Sequence, residues 1–194
     1  MSFQSPRRPS DMSEFAARYR KIAGQFTDRV TNVPEDAWDN PAPCQGGGAR
    51  DGVRHLVEWV PGFFESYVGV SLPKPTTVDI DPAGAWVTLS DAIESLLDDP
   101  VVSAREFDAP MGRMSVEQAV DMIVSSDVLL HTWDLARATG LDETLDPDEV
   151  HRMWEGMEPM DELLRNSGHY GPRVDVPDDA DEQTKLIAFI GRRP

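Results

Sequence analysis

SVEQAVDMIVSSDVLLHTWDLARATG, residues 115–140, is the longest regular segment of the chain. Ser115 and Gln118 are spaced as a capping box, and Gly140 is a natural helix stop, so the stretch predicts one long helix. On a wheel advancing about 100° per residue, Val116, Ile123 and Val124 fall within about 60° of Val120. Asp127 falls near −20°, His131 near +20° and Asp134 near −40°, roughly in the middle of that apolar stripe. Strand patterns are nearly absent elsewhere. The elements must therefore pack helix on helix, and an all-α fold follows.

Upstream, Trp86, Leu89, Ile93, Leu96 and Leu97 mark another helix, preceded by SLPKPTTVDIDP (71–82), whose three prolines read as a crossover. A helix beginning near Arg50 carries Val53, Leu56, Trp59, Val60, Phe63 and Tyr67, with Pro61-Gly62 expected to kink or end it. The loop NPAPCQGGGAR leads into it. Phe15, Tyr19, Ile22, Phe26 and Val30 give a first helix over 11–31, with Asp11 and Glu14 as its capping pair. Residues 101–114, through Pro110 and Gly112, read as irregular. Downstream, Asp146-Pro147-Asp148-Glu149 opens a fifth helix running to about Leu164. Beyond Gly168 the chain is extended, with a short helix over 184–190. The expected architecture is a four-helix bundle with an extra helix and a short C-terminal extended segment, residues 11–194 forming one domain behind a disordered tail at 1–10.

The chain has 194 residues, 40% of them hydrophobic, and 18 Lys+Arg against 35 Asp+Glu give a formal net charge of −17. Such a surface lacks the basic patch that nucleic acid requires and is repelled by anionic lipid. No run approaches the roughly 20 apolar residues that span a bilayer, and MSFQSPRRPS has no apolar core of a secretory signal. A cytoplasmic location is expected. Cys44 is the single cysteine, so no internal disulfide can form.

A carboxylate and an imidazole four apart on an inward face need a neutralising partner, because burying an unpaired charge costs several kcal/mol. A metal ion would supply that charge; a mutual hydrogen bond without metal would serve as well. Of the other histidines, His55 lies at the edge of its helix's apolar arc and can reach the bundle interior. Glu58, three residues on, faces water. His151, in an acidic helix start, and His169, in a loop, read as surface residues. His55, Asp127 and His131 together are two imidazoles and a carboxylate, the donor count of a catalytic zinc or non-haem iron site with an open position. Asp134 is placed either to orient a ligand imidazole or to pair with Arg137. Trp59 and Trp133 would line the approach, and Cys44 could come near the metal but is as readily a small buried hydrophobe.

DVLLHTWDLARATG (127–140), PCQGGGARDGVRHLVEW (43–59) and the terminal HYGPRVDVPDDADEQTKLIAFIGRRP together resemble an actinobacterial metal-binding family of the DinB-like superfamily. That family is related to the N-terminal domain of mycothiol-dependent maleylpyruvate isomerase. The resemblance implies a DinB-like bundle in which His55, Asp127 and His131 hold a divalent metal, zinc first, with nickel or iron as alternatives. It also implies a low-molecular-weight thiol of the mycothiol type as co-substrate and a small electrophile as its target. Three features differ from the isomerase pattern: Gly46-Gly47-Gly48 where relatives carry Trp after the Pro-Cys turn, Asp127 where they often carry Glu, and no C-terminal domain after Leu164. The expected chemistry is thiol transfer or thiol-assisted isomerisation. The alternatives are a non-catalytic metal-containing bundle that binds a ligand or partner, and a homodimer formed through exposed Met153, Trp154, Met157 and Met160.

Overall fold

The computed structural model describes residues 13–44, 47–109, 111–166, 168 and 170–194. Asp11, the expected tail, Gly46 and His169 lie outside the described residues.

α1 (Glu14–Thr31) is capped by Ser13, whose hydroxyl accepts from the Ala16 amide; this cap takes the place expected for Asp11. Tyr19, Ile22, Ala23, Phe26 and Val30 recur at three- and four-residue steps and are buried. α2 (Ala49–Phe63) starts at Gly48, where the Asp51 carboxylate accepts from the Gly48 amide. Contrary to expectation the helix runs through Pro61. The irregularity falls just after it, where Phe64–Val68 winds as a π-turn ended by Gly69 at φ 71°. α3 (Pro82–Asp98) and the one-turn α4 (Pro100–Ser103) each begin with an Asp cap, Asp81 and Asp99, followed by proline.

The stretch expected to be irregular holds a hairpin. β1 (Glu106–Ala109) pairs antiparallel with β2 (Gly112–Ser115), Phe107 opposite Met114 with both buried. Strands of four residues carry too few alternations to read as strands in sequence.

The 115–140 stretch is continuous helical winding in three parts. The expected capping box of Ser115 and Gln118 opens α5 (Val116–Ala119), Val120–Val124 winds as a second π-turn, and α6 (Ser125–Thr139) ends at Gly140, φ 72°. In the π-turn the Ser125 hydroxyl donates to the Val120 carbonyl five residues back. α1 and α2 each lie between α3 and α6, which makes these four the bundle. α6, in contact with both α1 and α2, is buried almost all round.

α7 (Pro147–Met157) is capped by Asp146, and a single 3₁₀ turn leads to α8 (Asp161–Asn166). α9 (Glu182–Phe189), capped by Asp181, packs on α7. This corrects the expected exposed apolar face: Met153 and Met157 are buried, the Trp154 ring stands edge-on to Phe189 at 5.7 Å, and only Met160 of the four is well exposed.

Charge is also buried at the junction of α1, the second π-turn and α7. Arg18 donates through Nη1 to the backbone carbonyl and Oδ1 of Asp121, at 2.7 and 2.9 Å, and through Nε to Glu149. Arg152 donates to the other Asp121 oxygen at 2.7 Å. Arg18 and the two carboxylates are buried, and Arg152, its side chain exposed, closes the charge network from the solvent side. Among the described residues no helix is long and apolar enough to cross a membrane.

Candidate metal centre

The π-turn at Val120–Val124 sets the phase of everything after it. An i to i+5 winding takes one more residue per turn than an α-helix, so a wheel of constant pitch drawn through 116–134 slips at this point. It leaves Asp121 buried against Arg18 and brings Asp127 to the edge of the bundle instead of the middle of its apolar stripe.

Asp127, in the first turn of α6, faces His55 on α2. Its Oδ2 lies 3.2 Å from His55 Nε2 and accepts a hydrogen bond from Trp59 Nε1 at 2.9 Å. Its Oδ1 lies 3.6 Å from His131 Nε2, one turn on in α6, and the two imidazole rings are 5.1 Å apart. One donor atom from each of the three residues fits within a mutual distance of 4.8 Å. The edges of a tetrahedron around zinc are about 3.3–3.8 Å, from metal–ligand lengths of roughly 2.0–2.3 Å. The measured separations therefore suit one divalent ion with small side-chain adjustments. Side-chain exposure falls from 51% at His55 through 27% at Asp127 to 8% at His131, so the group opens to solvent on the His55 side.

Burial alone would raise the Asp127 pKa, but the hydrogen bond from His55 and the charge of His131 outweigh it and hold the carboxyl below its ordinary value. Burial would likewise lower His131. Asp134 and Asp127 reverse that and hold it above the ordinary imidazole value.

Asp134, 2% exposed, settles its own alternative. Its Oδ2 is 3.3 Å from His131 Nδ1, whereas Arg137 pairs with Glu143 at 3.0 Å. The contact to Nδ1 falls short of hydrogen-bond geometry, and that buried nitrogen has no hydrogen-bond partner. Arg192 grips Asp134 with both ends of its fork, Nε to Oδ1 at 2.6 Å and Nη2 to Oδ2 at 2.8 Å. Burial pushes Asp134 up, and His131 with Arg192 brings it below its ordinary value.

Of the two tryptophans expected beside the site, Trp59 touches Asp127. Trp133 does not flank the approach: it is fully buried, with the Arg137 guanidinium 4.9 Å from its ring centre. Glu58 is exposed, and His151 is exposed and paired with Glu182 at 3.0 Å, both as expected.

Two residues outside the expected set belong to these surroundings. Arg192 had no periodicity to announce it; the only hint was that a buried Asp134 needs a cation. Gly191 delivers it. This glycine stands at φ 88°, and a Cβ there would come within 2.7 Å of the Gly171 backbone. The other is Cys44, half-buried, which offers its sulfur within 4.8 Å of His131 and Asp134 donors.

Two uncharacterised proteins from Mycobacterium tuberculosis strains, CDC 1551 / Oshkosh and ATCC 25618 / H37Rv, are each 26% identical to this chain over 179 residues. Each match spans 90% of this chain and 95% of the relative. No family model matches the chain. No solved structure matches it at a significant level.

Proposed function

We propose that the chain is a divalent-metal-binding helical bundle of the DinB-like type, acting as a metal-dependent transferase or isomerase that joins a low-molecular-weight thiol to a small electrophile. The observation that carries this reading is the convergence of His55, Asp127 and His131 donor atoms from two helices within 4.8 Å, open to solvent on one side. Two imidazoles and a carboxylate suit zinc, with nickel or iron as alternatives, and leave a coordination position for a ligand. A bound divalent ion would supply the charge that keeps a thiol deprotonated at neutral pH.

The chain's own groups prepare that site. The Trp59 indole N–H fixes Asp127 Oδ2. The carboxylate of Asp134, beside Nδ1, favours the proton on that nitrogen and so leaves the Nε2 lone pair of His131 facing Asp127. Arg192 keeps Asp134 ionised and in place. A reducing cytoplasmic setting fits a chain with one cysteine.

The test is elemental analysis of untagged protein beside His131→Ala and Asp127→Ala, followed by turnover assays pairing a thiol with an electrophile panel. Near-stoichiometric zinc, nickel or iron in protein as purified, lost in His131→Ala and reduced in Asp127→Ala, is the expected result. Wild-type protein that stays metal-free after reconstitution, with folded variants as controls, would overturn the reading. Metal without turnover across the panel would leave a binding protein in place of an enzyme.

A further inference from the structure

The two edges of the His131 ring face different donor sets. Nε2 looks toward Asp127 and His55; Nδ1 looks toward Asp134. On that second side lies Cys44, from the connection between α1 and α2, and one atom each from Cys44, His131 and Asp134 lies within 4.8 Å of the others. Nδ1 is buried without a hydrogen-bond partner, a condition that native interiors rarely leave unexplained.

We propose that Cys44, His131 and Asp134 form a second cation site, specific for a soft, thiophilic divalent ion of the zinc and cadmium class. Softness follows from the charges present. Arg192 already compensates Asp134 with a two-pronged ion pair, so a hard ion that depends on carboxylate charge gains little here. The affinity has to come from sulfur. Without an ion, burial and the neighbouring Asp134 charge push the Cys44 thiol up to about 11, so it stands protonated. On binding, the S–H proton leaves to solvent as the sulfur–metal bond forms, with no change of oxidation state. Three protein donors leave a fourth position for water or a small ligand.

The shared imidazole makes the two sites alternatives. A neutral ring has one lone pair, so an ion on Nδ1 places the proton on Nε2, facing Asp127 Oδ1 at 3.6 Å; an ion on Nε2 returns the proton to Nδ1. Each chain then holds one ion at a time, on the sulfur side or on the His55 side. This assignment stands independently of the proposed His55 site.

The experiment is cobalt(II) titration of the reduced, untagged full chain, followed by its thiolate-to-cobalt charge-transfer absorption. Cys44 is the single cysteine, so any such band reports on it alone. The band is expected in wild type and, strengthened, in Asp127→Ala, where no ion is drawn to the His55 side; each chain takes one cobalt at saturation, and the band is lost completely in Cys44→Ser at unchanged circular dichroism. Cobalt bound without a thiolate band, and lost in Asp127→Ala, overturns the sulfur site and leaves the His55 reading intact. A thiolate band of equal strength per cobalt in wild type and Asp127→Ala supports the sulfur site and removes the His55 reading, because competition from the His55 side would weaken the band in wild type. Two cobalt ions per wild-type chain would overturn the exclusivity, and no cobalt at all would overturn both sites.

Discussion

Asp134 shows how much of the His55 site depends on a residue that would not touch the ion held there. Its carboxylate is buried and stays below its ordinary pKa because His131 and the Arg192 fork together outweigh burial. Arg192→Met therefore leaves only His131 to compensate a buried carboxylate, and a loss of about 3–5 kcal/mol is expected by urea denaturation, with Asp134→Asn in the same chain recovering part of it. The titration of His131 gives a second expectation. Its folded pKa lies above the ordinary 6.5 because Asp134 and Asp127 outweigh burial, so below that raised value a metal must displace a proton. Affinity should rise with pH from 6.5 upward and level off once the ring is neutral, measured by competition with a chelator. In metal-free protein the sign is opposite. A raised His131 pKa stabilises the fold at low pH and that contribution is lost as pH climbs through it, while the depressed Asp127 and Asp134 contributions are lost as pH falls through their folded values.

At the scale of elements, the second π-turn is the feature that couples two distant jobs. Asp121, within it, must meet Arg18 and Arg152, while Asp127 and His131, after it, must meet His55. Deleting exposed Met122 removes the turn's extra residue and would let the segment wind as plain α-helix with its two ends kept in phase. The change falls inside the turn, on Asp121, whose carbonyl and carboxylate lose their set toward Arg18 and Arg152. The expected outcome is retained helical circular dichroism with stability lowered by about 3–5 kcal/mol. Most element starts were legible in sequence, because capping chemistry is local: Ser115 with Gln118, and Asp146 before Pro147, stand where expected. The π-turn was not, because a helix wheel assumes constant pitch. Its phase error placed Asp127 too centrally, although the i, i+4 spacing of Asp127 and His131 survived it.

For the whole molecule, the bundle could be read from the apolar periodicities of α1, α2, α3 and α6, and the three candidate ligands from polar residues on or beside those apolar faces. What stayed hidden depends on contacts between residues far apart in the chain. Arg192 reaches Asp134 across 58 positions, and α9 covers the methionines of α7 that looked free for a partner. A longer span belongs to the buried ion network, where 131 positions separate Arg18 from Glu149 and 103 separate it from Asp121. Closing loops of that length is entropically costly before any neighbouring contact rewards it, so these pairs should join after the rate-limiting step of folding. In stopped-flow chevrons Arg18→Met should speed unfolding and leave refolding nearly unchanged, whereas a slowed refolding limb would place the network in the nucleus. Arg18 then acts as a latch that engages last, governing how long the folded chain persists and not how quickly it forms.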